Sequence, residues 1–227
     1  MGQVSTLDVY LEIGKKKVFA SATHWPGWCR SGRSESEALA SLANYAQRYA
    51  GVLKLAGLPF DHQPDLADFN VTDRMIGDSG TDFGAPSIAP RCDADEVDAI
   101  ELARMKTLLS AAWQTLDLNC ENARGKELQK GPRGGGRNLG AMVKHVVDAQ
   151  IAYLGRIGVK LALAQTEQCV VSDYFRQVIV DSLEACVRRM LPDKGPRGGV
   201  LWTPRYFVRR TMWHILDHAW ELEDRIL

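Results

Sequence analysis

From Asp93 onward the chain carries four long stretches of helical hydrophobic period with no strand pattern between them, which restricts this half to helix packed on helix. Asp93 or Asp95 is the expected cap of the first. It sets Val97, Ile100, Met105, Leu108, Leu109, Ala112, Trp113 and Leu116 on one broad face. The second runs from about Asn138 to Ile157, with Leu139, Met142, Val143, Val146, Tyr153 and Ile157 as its core stripe, and the third from about Ser172 to Leu191. Thr203 as N-cap with Pro204 in the first turn opens the fourth, which reaches about Ile226. Four such helices predict a four-helix bundle over residues 93–227.

The first 76 residues follow a different pattern. Val9, Leu11 and Ile13 alternate with other residues, Gly14 and three lysines turn the chain, and Val18, Ala20 and Ala22 resume the period of two. Trp25-Pro26-Gly27-Trp28 is a turn flanked by aromatic rings. Ser34 and Glu37 then form a capping box for a helix expected to reach Leu55, burying Leu39, Leu42, Ala43, Ala46 and Tyr49. Gly57 and Pro59 stop it. A further strand is expected near Asp68–Met75. Residues 77–92, rich in Gly and Pro, read as a linker or a loop lying over the next domain. The fold class expected is therefore α+β, with a small module followed by a bundle.

Composition excludes some functions. Lys+Arg and Asp+Glu both total 28, so the formal net charge is zero and no whole-chain field attracts nucleic acid or an anionic membrane. No run approaches the ~18 apolar residues of a membrane span. Cys29, Cys92, Cys120, Cys169 and Cys186 are odd in number, widely spaced and never C-x-x-C, which fits reduced thiols in a cytoplasmic protein. The hexapeptide Lys-Gly-Pro-Arg-Gly-Gly occurs at 130–135 and again at 194–199, each copy before a helix, and reads as two loops with solvated cations.

The chemistry lies in the fourth helix. His214 and His218 are four residues apart, one above the other on a helix face, at a spacing that lets two imidazoles share one divalent ion. Ile215 follows His214 where a zinc protease would carry Glu, so that class is excluded. At about 100° per residue, Arg210, His214, Asp217, His218 and Glu221 fall on one side of the helix. The apolar arc opposite carries Trp213 and Trp220 and is too wide for one groove, so the polar stripe is expected to line an internal site. His145, at the edge of the second helix's core stripe, is the candidate third ligand. Asp217 and Asp148 are candidates to accept the free N–H of a ligand histidine. Glu221 is a candidate fourth ligand or general base, Asp217 a further catalytic candidate, and Arg210 is placed to grip a substrate carboxylate. His24 and His62 read as surface residues.

Two resemblances add to this reading. Trp25-Pro26-Gly27-Trp28-Cys29 and Arg33-Ser34-Glu35-Ser36-Glu37-Ala38-Leu39, in that order, resemble the HicB-like antitoxin fold over about residues 1–75. That resemblance implies a β-β-β-α-β module, often a structural appendage. Asn138-Leu139-Gly140-Ala141-Met142-Val143-Lys144-His145 and Arg209-Arg210-Thr211-Met212-Trp213-His214-Ile215-Leu216-Asp217-His218 resemble the DinB/YfiT-like metalloenzyme family over about residues 93–227. This second resemblance implies an up-down-down-up bundle with a long crossover at 155–171, often a homodimer. It also implies a divalent ion on His145, His214 and His218. Imidazole ligation suits Zn, Ni, Fe or Cu, and the sequence does not choose among them. Family members use the metal in thiol-dependent transfer, opening or isomerisation, so a low-molecular-weight thiol and a small-molecule substrate are the implied partners. The expected function is a metal-dependent transferase or hydrolase. The contrasting expectation is a non-enzymatic protein that binds a protein or RNA through the HicB-like module, with the balanced charge weighing against RNA.

Overall fold

The structure is a computed structural model that describes residues 6–60, 64–130, 136–161, 173–191, 194 and 199–227. His62, Cys169, Ser172, the cores of both hexapeptides and most of the 155–171 stretch lie outside the described residues. The chain is α+β: the described residues form a four-stranded sheet with its helices followed by four longer helices, and the chain separates into two compact units, residues 1–95 and 96–227. Among the described residues, no helix is long and apolar enough to cross a membrane.

In the first unit β1 (Leu7–Ile13), β2 (Val18–Ala22), β3 (Cys29–Gly32) and β4 (Phe69–Ile76) form one sheet in the order β3-β2-β1-β4. The hairpin signal is realised as antiparallel pairing of Leu11 with Ala20, and Gly14 N donates to Lys17 O across the turn at 2.8 Å. β4 pairs parallel to β1, which requires the chain to cross over between them. α1 (Glu35–Asn44) and α2 (Ala46–Leu55) lie in that crossover. Strand β3 follows the Trp-Pro-Gly-Trp turn, where the residue pattern by itself gave only a turn. All five residues of β2 are buried rather than alternate ones, because both faces of the strand are covered.

The single helix expected from Ser34 to Leu55 is two helices broken at Tyr45. The Leu42 carbonyl, which a continuous helix would offer to the amide four residues on, accepts Trp28 Nε1 at 2.9 Å and Tyr45 N at 3.2 Å. The ladder therefore tightens and restarts at Ala46. Only half of the capping box forms: Ser34 Oγ accepts from Glu37 N at 3.2 Å, but the Glu37 carboxylate accepts from Arg33 N at 2.8 Å, one residue before the N-cap. Leu42, Ala46 and Tyr49 are buried as expected; Leu39 and Ala43 are only partly so, and Ala38, Val52 and Leu53 complete the face.

Residues 77–92, read as a linker, fold onto the sheet instead. The cause is Glu12, which is 0 % exposed on β1 and must find donors there. Its carboxylate accepts from Ser87 N at 2.9 Å, Ile88 N at 3.1 Å and the hydroxyls of Thr81 and Ser87. The short helix α3 (Ser79–Phe83), capped by Asp78, positions Thr81 for this contact. Neither Asp93 nor Asp95 caps the next helix. Asp93 lies in a 3-10 turn, and Asp98 Oδ1 accepts from Glu101 N at 2.8 Å to open α4 (Ala99–Ala123). That phase turns Ile100 outward, 81 % exposed, because it lies five residues and about 140° from the core residue Met105.

Among the described residues, the second unit holds α4, α5 (Leu139–Arg156), α6 (Asp173–Val187) and α7 (Pro204–Arg225). Their directions follow from contacts at their ends. Arg205 pairs with Glu101 at 2.9 Å and Asn119 Nδ2 donates to Ala219 O at 3.0 Å, so α4 and α7 run parallel. Trp202 N donates to Arg156 O at 2.8 Å and Arg225 Nη2 to Arg137 O at 2.9 Å, so α5 runs antiparallel to α7. Lys106 pairs with Glu184 and Asp117 with Arg176, so α6 runs antiparallel to α4. The wide apolar arc of the fourth helix has its expected meaning. Every residue of α7 from Tyr206 to Leu216 is buried, and the helix packs against α4, α5 and α6.

Candidate metal centre

Local sequence builds both helices that carry the candidate site. Thr203 Oγ1 accepts from Tyr206 N at 3.3 Å, and Pro204 begins α7 without wasting an amide hydrogen. Asn138 Oδ1 accepts from Ala141 N at 2.9 Å and opens α5. The buried stripe of α5 is Met142, Val146, Val147, Gln150 and Leu154, turned slightly from the stripe expected. Gln150 belongs to it because it accepts Trp113 Nε1 at 2.9 Å. This rotation leaves His145 and Tyr153 at one edge of α5, half-buried and beside α7.

His145, His214 and His218 converge there. One ring nitrogen from each lies within 4.8 Å of the others. His145 Nε2 and His214 Nε2 are 3.3 Å apart, and the three ring centroids are separated by 4.6–5.0 Å. Two nitrogens bound to one tetrahedral zinc at ordinary bond lengths are separated by about 3.3 Å, so the first pair already has ligand spacing. His214 and His218 are 7 % and 8 % exposed, and His145 is half-buried.

The electrostatics disfavour the charged form of His214 and His145. Burial, then the neighbouring His218 and His145, then Arg210 and Arg137, hold His214 well below the ordinary histidine value. His145 is lowered chiefly by burial and then by His218 and Arg137, with a partial offset from Asp148 and Glu221. Neutral imidazoles present lone pairs, the form a metal ion requires. Among the described residues His214 Nδ1 is buried without a hydrogen bond. The donor set therefore fits a borderline divalent cation such as zinc, nickel or iron.

Glu221 stands behind His218. Its Oε2 lies 2.9 Å from His218 Nδ1 and its Oε1 accepts Arg225 Nη1 at 3.1 Å, so both oxygens are engaged and Nε2 is the nitrogen of His218 left for an ion. Burial pushes the Glu221 carboxyl up, but the bonds and charges of His218 and Arg225 outweigh it and hold the group below its usual value. Such a carboxylate on the far nitrogen of an imidazole orients the ring. Asp148 does not serve His145; it is exposed and pairs with Lys144 at 2.7 Å, one helical turn away. Asp217 is half-buried, and the carboxylate on the His218 ring is that of Glu221, one turn further on. Arg210 is buried and donates to Tyr153 Oη at 3.1 Å. His24 is exposed in the first unit, as expected.

Arg225 was not foreseen, although its i,i+4 spacing from Glu221 is a readable signal. It is 3 % exposed. It spends its other donors on Gln129 O at 2.7 Å and Arg137 O at 2.9 Å, and so fixes the chain entering α5 against the end of α7. Arg225→Met is expected to lower the unfolding free energy by about 2 kcal/mol, since it leaves two carbonyls and a part-buried carboxylate without their donor. Equilibrium urea unfolding measures this. A midpoint equal to that of the parent chain would show that Arg225 is not the clamp described.

No protein-family model, curated protein or solved structure matches the chain.

Proposed function

We propose that the chain is a divalent-metal-dependent enzyme of the DinB-like type, with His145, His214 and His218 as the ligands. The observation that carries this reading is the convergence of three imidazoles from two helices, His145 and His214 being 69 residues apart in sequence, with one of them backed by a carboxylate. The pairwise helix directions support an up-down-down-up bundle, and the order of elements in the first unit supports a HicB-like appendage. When bound, an ion on three neutral ligands supplies a Lewis acid that lowers the pKa of water or of a thiol and polarises a carbonyl. The chain's own contribution is positional. Glu221 and Arg225 fix the ring of His218, and the packing of α7 on α5 sets His214 against His145. The reaction class that suits this chemistry is transfer to or hydrolysis of a small substrate, with a low-molecular-weight thiol as cosubstrate.

Elemental analysis of protein purified from cells grown with zinc, nickel and iron tests the reading. About one divalent ion per chain is expected, and chelation should lower the melting temperature because the ion binds the folded form alone. Metal-free protein with a melt indifferent to chelator overturns it.

A further inference from the structure

We propose that the three-histidine site takes a small-molecule oxyanion, a carboxylate or a phosphate, and that Arg210 is the cation that holds it. This deepens the metalloenzyme reading and rests on it for part of the charge balance. Arg210 is 8 % exposed and lies one turn before His214 on α7. A guanidinium has five N–H groups to satisfy. Among the described residues, the hydrogen bond it makes is from Nη2 to Tyr153 Oη at 3.1 Å, while Nε and Nη1 are buried with no acceptor. The remaining contacts are with ring faces, Trp213 at 4.7 Å and Tyr153 at 5.4 Å from the guanidinium carbon. Ring faces offset only part of the cost of hiding a cation, and unmet donors add to that cost.

Two other arginines of the same helix show what is missing. Arg205 is paired with Glu101 and Arg225 with Glu221, whereas Arg210 has no ion pair among the described residues. The neighbouring carboxylates are committed elsewhere, Glu221 to His218 and Arg225, and Asp148 to Lys144. The positive field of Arg137 also reaches His145 and His214, and a bound divalent ion would add to it. A site with this surplus of positive charge and an unmet guanidinium is completed by an anion, and the guanidinium fork matches the oxygen pair of a carboxylate or phosphate. Nε and Nη1 are hidden from solvent, so the ligand takes over the bond that Tyr153 accepts, with the half-buried Tyr153 ring as the element that yields.

The test is titration of the zinc-supplied full chain with benzoate, inorganic phosphate and the neutral analogue benzamide, read by tryptophan fluorescence and by thermal shift. At least one oxyanion is expected to bind and benzamide is not. Arg210→Gln should weaken oxyanion binding by about 10–100-fold, the loss of charge-assisted hydrogen bonds. Tyr153→Phe, which removes the competing acceptor but keeps the ring, should bind the oxyanion as tightly as the parent or more so. Zinc content should be unchanged in both variants. Binding of neither oxyanion, equal binding of benzamide, undiminished binding by Arg210→Gln, or weakened binding by Tyr153→Phe would each overturn the proposal. The Tyr153→Phe and benzamide arms decide the matter even where Arg210→Gln does not fold. Absence of zinc from the parent chain would sink the metalloenzyme reading alone, and the same titrations on the zinc-free chain would still judge Arg210.

Discussion

His218→Ala is expected to lower the affinity for a divalent ion by more than about 100-fold, since even changes to groups behind a ligand cost about 10–100-fold. The reason is geometric. His218 is the one imidazole of the three whose orientation is fixed by a carboxylate, with Glu221 on Nδ1, and removing it leaves His145 and His214 as a pair. Two imidazoles do not hold a divalent ion in a protein site as three do, because water must fill the vacated position. Elemental analysis after dialysis should show this as loss of nearly all bound metal, and the variant's melt should become indifferent to chelator. The exposed His24 is the control, and His24→Ala should keep the metal content of the parent chain. Full metal retention by His218→Ala would show that the ion, if bound, sits elsewhere.

Trp28→Ala is expected to cost about 3–5 kcal/mol, a large part of the stability of a unit this size. Trp28 is 0 % exposed, stacks on Tyr49 at 5.5 Å and 14°, and meets Phe60 and Phe69 edge to face at 5.4 and 6.3 Å. Its indole N–H also occupies the Leu42 carbonyl at which the helix breaks. Truncation therefore opens a cavity among three rings and removes the donor that sets the break. Trp28→Phe should cost much less, because it keeps most of the apolar volume and gives up the one hydrogen bond. Hydrogen exchange of β1, β2 and α1 amides in the full chain would measure both. Protection in Trp28→Ala equal to the parent would contradict the assignment of Trp28 as the centre of this core.

Much of the local structure was legible before any coordinates. The strands at Val9–Ile13 and Val18–Ala22, the cap at Ser34 and the Thr203-Pro204 start of the last helix are all realised. Each depends on neighbours within a few residues, where backbone sterics and side-chain spacing act directly. The i,i+4 pair His214 and His218 was legible for the same reason. The failures share a different cause. The helix expected to run unbroken past Tyr45 is interrupted by an indole 14 residues before Leu42, and the 77–92 stretch is held by Glu12, 75 residues before Ser87. Gln150, a polar residue in a core stripe, is there because Trp113 needs an acceptor.

By itself, then, the sequence determined where most of the longer helices and the β1–β2 hairpin lie and which side chains could bind a cation. Only the tertiary structure decided that α5 runs antiparallel to α7 in the register that sets His145 Nε2 3.3 Å from His214 Nε2, and that Glu221 stands behind the ring of His218. A hydrophobic stripe specifies the face a helix buries. The partner, direction and offset are chosen by how whole faces interlock and by which buried polar groups find one another across long stretches of chain.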